Sequence, residues 1–373
     1  MSENTKHIVF VNHTRELHGS EQVMLETIRQ CSSQGWRVTL VLPVNRPSGG
    51  LEQAVGQEVE ILYLRYKNSG EGWGRTMLVE LYNLPAVIRF IRWIRKNRVD
   101  AIYSNTSVTL PGIEAARWTH TPHIWHWHEL PSREFGWFGR SMLLLRFWQR
   151  YTDRLLFISK TQQQLWESAL NIQPLNHAQV IYNPVRIIRA TKTKHGGPVR
   201  IGYMGSFAER KNLPWLIQTV RRMYEQYDVR LSLYGAKNKQ EQEAIQALWP
   251  DTTAFSVHVH TDEIEQVYAN MDIFVLPSLS ETMPLVVLEA MQAGVCVIQT
   301  NQSGMTELMH DNEECLFIQP DDKESLYRAL TRCMDIDFRN VIAARGQQFA
   351  QNWMEQNRYE QNIITVFKDL LSD

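Results

Sequence analysis

A chain of 373 residues, 43% hydrophobic and 21% charged, is long enough for two domains and has the composition of a globular protein. Its net charge of −1 excludes a strongly basic nucleic-acid binder, and no apolar run reaches the ~20 residues of a membrane span. That balance conceals an asymmetry: residues 1–183 carry 20 Lys plus Arg against 15 Asp plus Glu (+5), and residues 184–373 carry 19 against 25 (−6).

Strand-like and helix-like segments alternate throughout, which predicts an α/β fold with parallel sheets. In the first half His7–Asn12, Arg37–Leu42, Ala101–Tyr103, His123–Trp127 and Leu155–Ile158 read as strands. Residues 1–6 are polar and lead straight into the first strand, so no secretory leader is expected. The scattered Cys31, Cys296, Cys315 and Cys333 read as reduced thiols of a cytosolic protein. A loop from Asn12 to Glu21 joins the first strand to a helix, and Arg65–Gly74 reads as a polar, glycine-rich loop.

Pro85–Arg98 reads as an amphipathic helix with Arg89, Arg92, Arg95 and Lys96 on one face and Val87, Ile88, Ile91 and Ile94 on the other. Trp137–Arg154 is similarly rich in aromatic residues and leucine, with Arg140, Arg146, Arg150 and Arg154. Both segments are open to two readings, a solvated face over a core or attachment to an anionic membrane surface. In His123–Leu130, a period of two puts His126 and His128 on one strand face and Trp125 and Trp127 on the other. The histidine pair is open to a metal site, a structural role or a binding role; no carboxylate-rich ligand motif accompanies it.

The domain boundary is placed at Tyr182–Val185, giving domains 1–182 and 183–373, with a last amphipathic helix near 353–371. Strands in the second half are read at Val199–Met204, Arg230–Tyr234, Phe255–Val259, Ile273–Leu276, Cys296–Gln299 and Cys315–Ile318. After the first of these, Gly205, Ser206, Arg210 and Lys211 form a turn in which a flexible ammonium reaches the strand ends. After the fourth, Glu281 and Glu289 flank a strand-to-helix turn. Pro284 suits the first helical position, so that the backbone of Thr282, Met283 and Leu285 offers N–H groups to an anion. A phosphate at that helix start leaves one carboxylate on either side for hydroxyls, the layout of a nucleotide-sugar site.

The phrase from Asp272 to Met291 resembles the Glu-x7-Glu motif of glycosyltransferase family 4, the retaining nucleotide-sugar transferases with two Rossmann-like domains facing across a cleft (the GT-B architecture). Ile201–Asn212 resembles the family's Gly-Arg-(x)4-Lys-Gly segment, with Ser206 for the arginine and Asn212 for the last glycine. Asn12–Glu21 resembles its Gly-Gly-x-Glu loop, with Ser20 for the second glycine and Gly19 permitting close approach of a sugar. Ser303–Glu307 resembles its Gly-Gly-x-x-Glu step, read here as a helix cap. The resemblance implies a first domain for the acceptor and a second for the donor, and a last helix that crosses back to the first. It assigns Lys211, with Gly205 and the helix start, to the diphosphate, Glu289 to ribose and Glu281 to the transferred sugar; Ser206 stands where the family has its arginine, and Arg210, which the family pattern does not place, is the candidate to compensate for it in the same donor site. It places His128, with His126 as the alternative, near the anomeric carbon. A glycan or lipid-linked acceptor in surface polysaccharide or lipopolysaccharide synthesis is expected, with no cofactor beyond the donor; the lack of an Asp-x-Asp motif after a strand end predicts no metal, the modest charge excess no nucleic acid, and the +5 first domain with its arginine-laced helix the cytoplasmic face of a membrane. A nucleotide-sugar epimerase and a non-catalytic membrane-attached partner share the architecture and remain alternatives.

Overall fold

The computed structural model describes residues 5–372 apart from 45, 47, 48, 69–72, 133–136, 138–140, 173, 176, 191, 193–195, 251, 252 and 321. It divides into two units, Met1–Pro184 with Arg358–Asp373, and Val185–Asn357.

The first unit runs β1 (His7–Val11), α1 (Gly19–Ser33), β2 (Arg37–Pro43), α2 (Leu51–Ala54), β3 (Glu60–Leu64), α3 (Trp73–Asn97), β4 (Ala101–Asn105), α4 (Leu110–Thr119), β5 (His123–Trp127), α5 (Ser141–Trp148), β6 (Arg154–Phe157), α6 (Lys160–Leu170) and β7 (Ala178–Val180). Its strands pair in the order β3-β2-β1-β4-β5-β6-β7, all parallel. Strands β1, β4 and β5 are buried along their whole length, as central strands covered on both faces must be. The two strands that sequence reading missed are the edges: β3 is half exposed and of mixed polarity, and β7 has only three residues. The order reverses between β1 and β4, which opens a crevice at their carboxyl ends where such sheets bind ligands.

Helix α3 begins twelve residues before the expected Pro85 and passes through that proline. Its buried stripe, Thr76, Val79, Asn83, Ala86, Val87, Phe90 and Ile94, keeps helical spacing on both sides, so packing outweighs the lost N–H. Asn83 is buried because its amide bonds the backbone N–H and C=O of Lys67, at 2.9 and 3.0 Å. Ile88, expected on the inner face, is exposed beside Arg89. The expected Trp137–Arg154 segment is α5, a 3-10 turn at Gln149–Tyr151 and the start of β6, where Arg154 stands; Arg140 lies outside the described residues. So does part of the expected Arg65–Gly74 loop, whose last two residues begin α3.

The second unit runs β8 (Val199–Met204), α7 (Leu213–Met223), β9 (Val229–Ala236), α8 (Lys239–Gln246), β10 (Phe255–Val259), α9 (Ile264–Ala269), β11 (Ile273–Leu276), α10 (Leu285–Gln292), β12 (Cys296–Thr300), β13 (Leu316–Ile318), α11 (Ser325–Arg332) and α12 (Ile336–Gln356). Its parallel sheet, β10-β9-β8-β11-β12-β13, repeats the reversal between β8 and β11. The edge strand β10 is covered by α8, whose Gln242 and Gln246 amides bond the backbone of Val257 and Phe255. Helix α12 ends where Asn357 leaves helical geometry (φ −88°, ψ 80°), and a separate α13 (Tyr359–Ser372) follows, so the single helix expected near 353–371 is two. Helix α13 belongs to the first unit: Tyr359 shares a 2.6 Å hydrogen bond with Thr27, and Phe367 packs on Phe10, Trp36 and Tyr103. No helix among the described residues is long and apolar enough to cross a membrane.

Candidate functional site

In the second unit the candidate residues gather at the carboxyl ends of β8 and β11. The chain leaves β8 at Gly205 (φ +146°), whose N–H donates to the Tyr234 carbonyl at 3.0 Å. A Cβ at Gly235 (φ +131°) would stand 2.0 Å from the Gly205 oxygen, so the two strand ends can meet only because residue 235 is glycine. Ser206 presents an exposed side chain, and its carbonyl accepts from the Tyr203 hydroxyl at 2.7 Å. The 3-10 turn Glu209–Lys211 then lays two cations against the turn after β11. The Leu279 N–H donates to the Arg210 carbonyl at 2.8 Å. Arg210 donates to the Ser280 carbonyl at 3.3 Å and to Glu281 at 3.4 Å, and the Lys211 ammonium bonds the other oxygen of Glu281.

Lys211 and Glu281 are thus one ion pair, with side chains only 11% and 8% exposed. The resemblance gave them separate ligands and did not foresee the pairing; it also left Arg210 unplaced, and the structure brings it to the same carboxylate. The backbone of Glu281 is pinned as well: its N–H donates to the Gln302 carbonyl at 2.9 Å and its carbonyl accepts from Gly304 at 3.2 Å. Ser303 caps the short 3-10 helix Gly304–Glu307 through the Met305 N–H.

Pro284 is the N-cap of α10 (φ −75°, ψ 100°), and the helix starts one residue later than expected, at Leu285. The N–H groups of Leu285 and Val286 precede the first intrahelical bond, so the positive end of α10 follows Thr282 and Met283 directly. Glu289 projects from the second turn and accepts from the Tyr268 hydroxyl of α9 at 2.9 Å. Burial raises the Glu289 pKa against the pull of that hydrogen bond and of Arg186. Tyr268 gave no sequence signal beyond its place in a helix before the motif.

In the first unit the carboxyl ends of β1, β4 and β5 carry a polar cluster, in which no lysine or arginine pair of this kind stands among the described residues. Strand β5 ends at Trp127, so His128 stands just past its end and half-buried, whereas His126 is fully buried within it. Their rings are 4.1 Å apart. His126 Nδ1 is 2.5 Å from the Tyr103 hydroxyl, and the Nε2 atoms of both histidines are buried without a hydrogen-bond partner. Burial lowers the pKa of His128 to about 3, with His13 adding to the effect; burial, and then His128, hold that of His126 well below the ordinary imidazole value, so both rings are neutral at physiological pH.

Gly19 and Ser20 open α1, and a Cβ added at Gly19 would meet nothing within 4 Å. Counting back from Glu21, Gly19 takes the second glycine's place in the Gly-Gly-x-Glu pattern and His18 the first, which corrects the assignment of Ser20 to it. Glu21, fully buried, accepts from the His18 N–H at 3.2 Å and from Ser20 at 3.1 Å, and lies 3.5 Å from His13. Asn105 donates to Asn12 at 2.9 Å and to Glu21 at 3.4 Å, and its own oxygen is buried without a partner. Sequence reading gave Asn12, Asn105, Glu21 and Glu129 no role. The signal available was position: Asn12 follows β1 and Asn105 ends β4, the two strands that border the reversal.

Among the described residues, three potential metal ligands converge only at His310, Glu313 and Glu314, where His310 and Glu313 are exposed. Among the described residues His126 and His128 have no third donor, so the pair alone is short of a ligand set.

The family described as "Glycosyltransferase Family 4" matches residues 17–189, and the family described as "Glycosyl transferases group 1" matches residues 198–335. A sulfoquinovosyl transferase of Arabidopsis thaliana is 24% identical over 71% of this chain and 56% of its own length, so the chain spans little more than half of that relative. A UDP-Gal:alpha-D-GlcNAc-diphosphoundecaprenol alpha-1,3-galactosyltransferase of Escherichia coli is 22% identical over 70% of this chain and 73% of its own. The crystal structure of Anabaena HepE in complex with UDP has the same fold, with TM-score 0.79 at 19% identity over 97% of this chain and 100% of that one.

Proposed function

The chain belongs to the family 4 type of glycosyltransferases, and on that premise we propose that it is a retaining enzyme moving a sugar from a nucleotide-diphosphate donor to a glycan or lipid-linked acceptor of surface polysaccharide or lipopolysaccharide synthesis. The observation that carries this reading is the convergence of Lys211, Arg210 and Glu281 beside the start of α10, with Glu289 on the same helix. Two cations and a helix N-terminus suit the charge that develops on a departing diphosphate. Glu289, held by Tyr268, suits the hydroxyl pair of a ribose, and Glu281 suits hydroxyls of the transferred sugar. Neutral His128 suits a sugar hydroxyl near the anomeric carbon, with Gly19 and Ser20 beside it in role. No protein nucleophile is assigned, and the leaving phosphate takes the acceptor proton. Lys211, Arg210 and the helix end would make a divalent metal dispensable.

The Anabaena structures hold UDP and UDP-glucose, so UDP-sugars are the first donors to test. Thermal stabilisation by a panel of nucleotide sugars is the experiment. A donor at ~100 times its Kd adds about 2.7 kcal/mol. Stabilisation by none of them, or inversion at the anomeric carbon in the product, would sink the reading.

We further propose that the acceptor lies at an anionic membrane surface, a reading that α3 supports. Its outer face runs from exposed Leu78, Leu81, Leu84 and Ile88 to exposed Arg89, Arg92 and Arg95. Arg95 donates to the carbonyl of Trp118 at 3.1 Å, which adds an exposed indole.

A further inference from the structure

Glu129 is a buried carboxylate next to His128 that the proposed reaction does not use. Both its oxygens accept from the Ser107 N–H at 3.2 Å, and one accepts from the His128 N–H at 3.0 Å. Its carbonyl accepts from Gln162 at 2.9 Å and Trp166 at 2.8 Å, which fixes it to α6. The turn it grips is strained. Thr106 has φ +72°, a region that a β-branched residue rarely occupies. That strain is held by many bonds. The Thr106 N–H donates to the His126 carbonyl at 2.8 Å, its carbonyl accepts from Trp125 at 2.8 Å, and Trp137 donates to the Ser107 hydroxyl at 3.0 Å. On either side of the turn stand the partnerless Asn105 Oδ1 and His128 Nε2.

We propose that Glu129 is a positioning residue whose carboxylate clamps the strained Thr106–Ser107 turn to the end of β5, setting Asn105 and His128 to receive hydroxyls of a sugar. The proposal rests on the glycosyltransferase reading for its ligand but not for its geometry. Burial pushes the Glu129 carboxyl up to about 7 against its three N–H bonds, and Glu21 pushes it the same way. The titratable groups that bear on it are Glu21 on α1 and, through its backbone N–H, His128, on which His13 and His126 act in turn; the uncharged Ser107 past β4 faces its carboxylate, and Gln162 and Trp166 of α6 hold its backbone carbonyl. Protonation removes acceptor capacity, so the clamp is complete above pH 7 and weakens as pH falls through 7.

The test is a histidine-ring NMR titration of the ligand-free protein with hydrolysis of UDP-glucose measured in parallel. In the wild type the His128 resonances should move with a midpoint near pH 7, tracking Glu129. In Glu129→Gln, a near-isosteric change, that movement should vanish. Turnover should drop about tenfold with KM for UDP-glucose within twofold, and its fall below pH 7 should disappear. Adding Thr106→Gly, which relaxes the turn, should return at least threefold of the loss. Should Glu129→Gln not fold, Glu129→Asp should shift the midpoint while retaining it. A His128 titration unchanged by either variant would overturn the clamp, and so would a double variant no better than the single. A clamp visible by NMR in a protein that hydrolyses no nucleotide sugar would instead refute the reaction alone.

Discussion

The two units share the same order over six strands, to which the first adds β7, yet the ends of their strands are chemically opposite. At the reversal between β8 and β11, Lys211 and Arg210 converge on Glu281 beside a helix N-terminus. At the reversal between β1 and β4, the groups are neutral imidazoles, two asparagines and the buried carboxyls of Glu21 and Glu129. The scaffold decides where a ligand sits; the residues one or two positions past each strand decide whether it is an anion or a set of hydroxyls. Charge over whole units follows the reverse sign. With α13 assigned to the first unit, that unit has 22 Lys plus Arg against 18 Asp plus Glu and the second has 17 against 22, so the paired cations beside a helix N-terminus lie in the acidic unit. Local geometry, not net charge, makes the difference.

The sharpest way to break this contrast is Lys211→Ala. Donor turnover should fall at least a hundredfold, since a charge-assisted contact to the diphosphate is lost along with the partner that orients Glu281. The fold should also suffer, because Glu281 is left nearly buried with only Arg210 nearby. Removing one member of such a pair costs roughly 3 kcal/mol. Lys211→Ala combined with Glu281→Ala should recover the melting temperature and none of the activity. Wild-type turnover in folded Lys211→Ala would remove the anion site from the second unit.

The first unit's basic helix provides the next largest effect. Replacing Arg89, Arg92 and Arg95 together should weaken binding to anionic vesicles about a hundredfold, since each basic residue near such a surface contributes ~1 kcal/mol. Leu78→Ser with Leu81→Ser should weaken it further and also reduce binding to neutral vesicles. Flotation of the wild type with neither vesicle would leave α3 with an ordinary solvated face.

Much of this was legible in sequence. The expected strands in both units were found because continuous apolar runs bounded by turn residues mark central parallel strands, and the Glu281–Glu289 phrase marked its turn. The misses have physical causes. Edge strand β3 is half exposed, so its pattern is diluted. Pro85 looked like a helix start because the stripe that carries α3 through it rests on Thr76, Val79 and Asn83, and a buried asparagine reads as surface until its contacts to Lys67 are seen. The Lys211–Glu281 pair joins residues seventy positions apart, which no local pattern encodes.

Acid should separate the units by a smaller amount. His123 is buried between Ser104 and Thr152, each 2.9 Å away, and burial lowers its pKa to about 3. Its native pKa is below the unfolded value of 6.5, so its contribution to stability is present above pH 6.5 and is lost as pH falls from 6.5 toward 3. Glu129 acts in the opposite sense, costing stability as pH rises from 4.5 toward 7. His13, His126 and His128, also held below the ordinary imidazole value by burial, act with His123 and outweigh Glu129, so melting curves of the wild type between pH 6.5 and 4.5 should fall with acid. His123→Gln should flatten the slope by up to one proton, about 1.4 kcal/mol per pH unit. An unchanged slope would mean that His123 does not carry the acid sensitivity of the first sheet.

The smallest effect expected is that of Tyr268→Phe, which tests how the second unit presents the carboxylate of Glu289, proposed for a ribose. The hydroxyl of Tyr268 donates to Glu289 at 2.9 Å, and both groups are largely enclosed. Removing it leaves the carboxylate in place with one bond fewer, worth about 1 kcal/mol, so KM for the donor should rise about fivefold with kcat nearly unchanged. Burial already raises the pKa of Glu289, and loss of the bond that opposes this should raise it further. The variant's affinity for donor should therefore decline at a higher pH than the wild type's as acid is added, because a protonated carboxyl gives up acceptor sites that a ribose diol needs. A fall in kcat at constant KM would instead place Glu289 at the reacting sugar and move the ribose contact elsewhere in the unit.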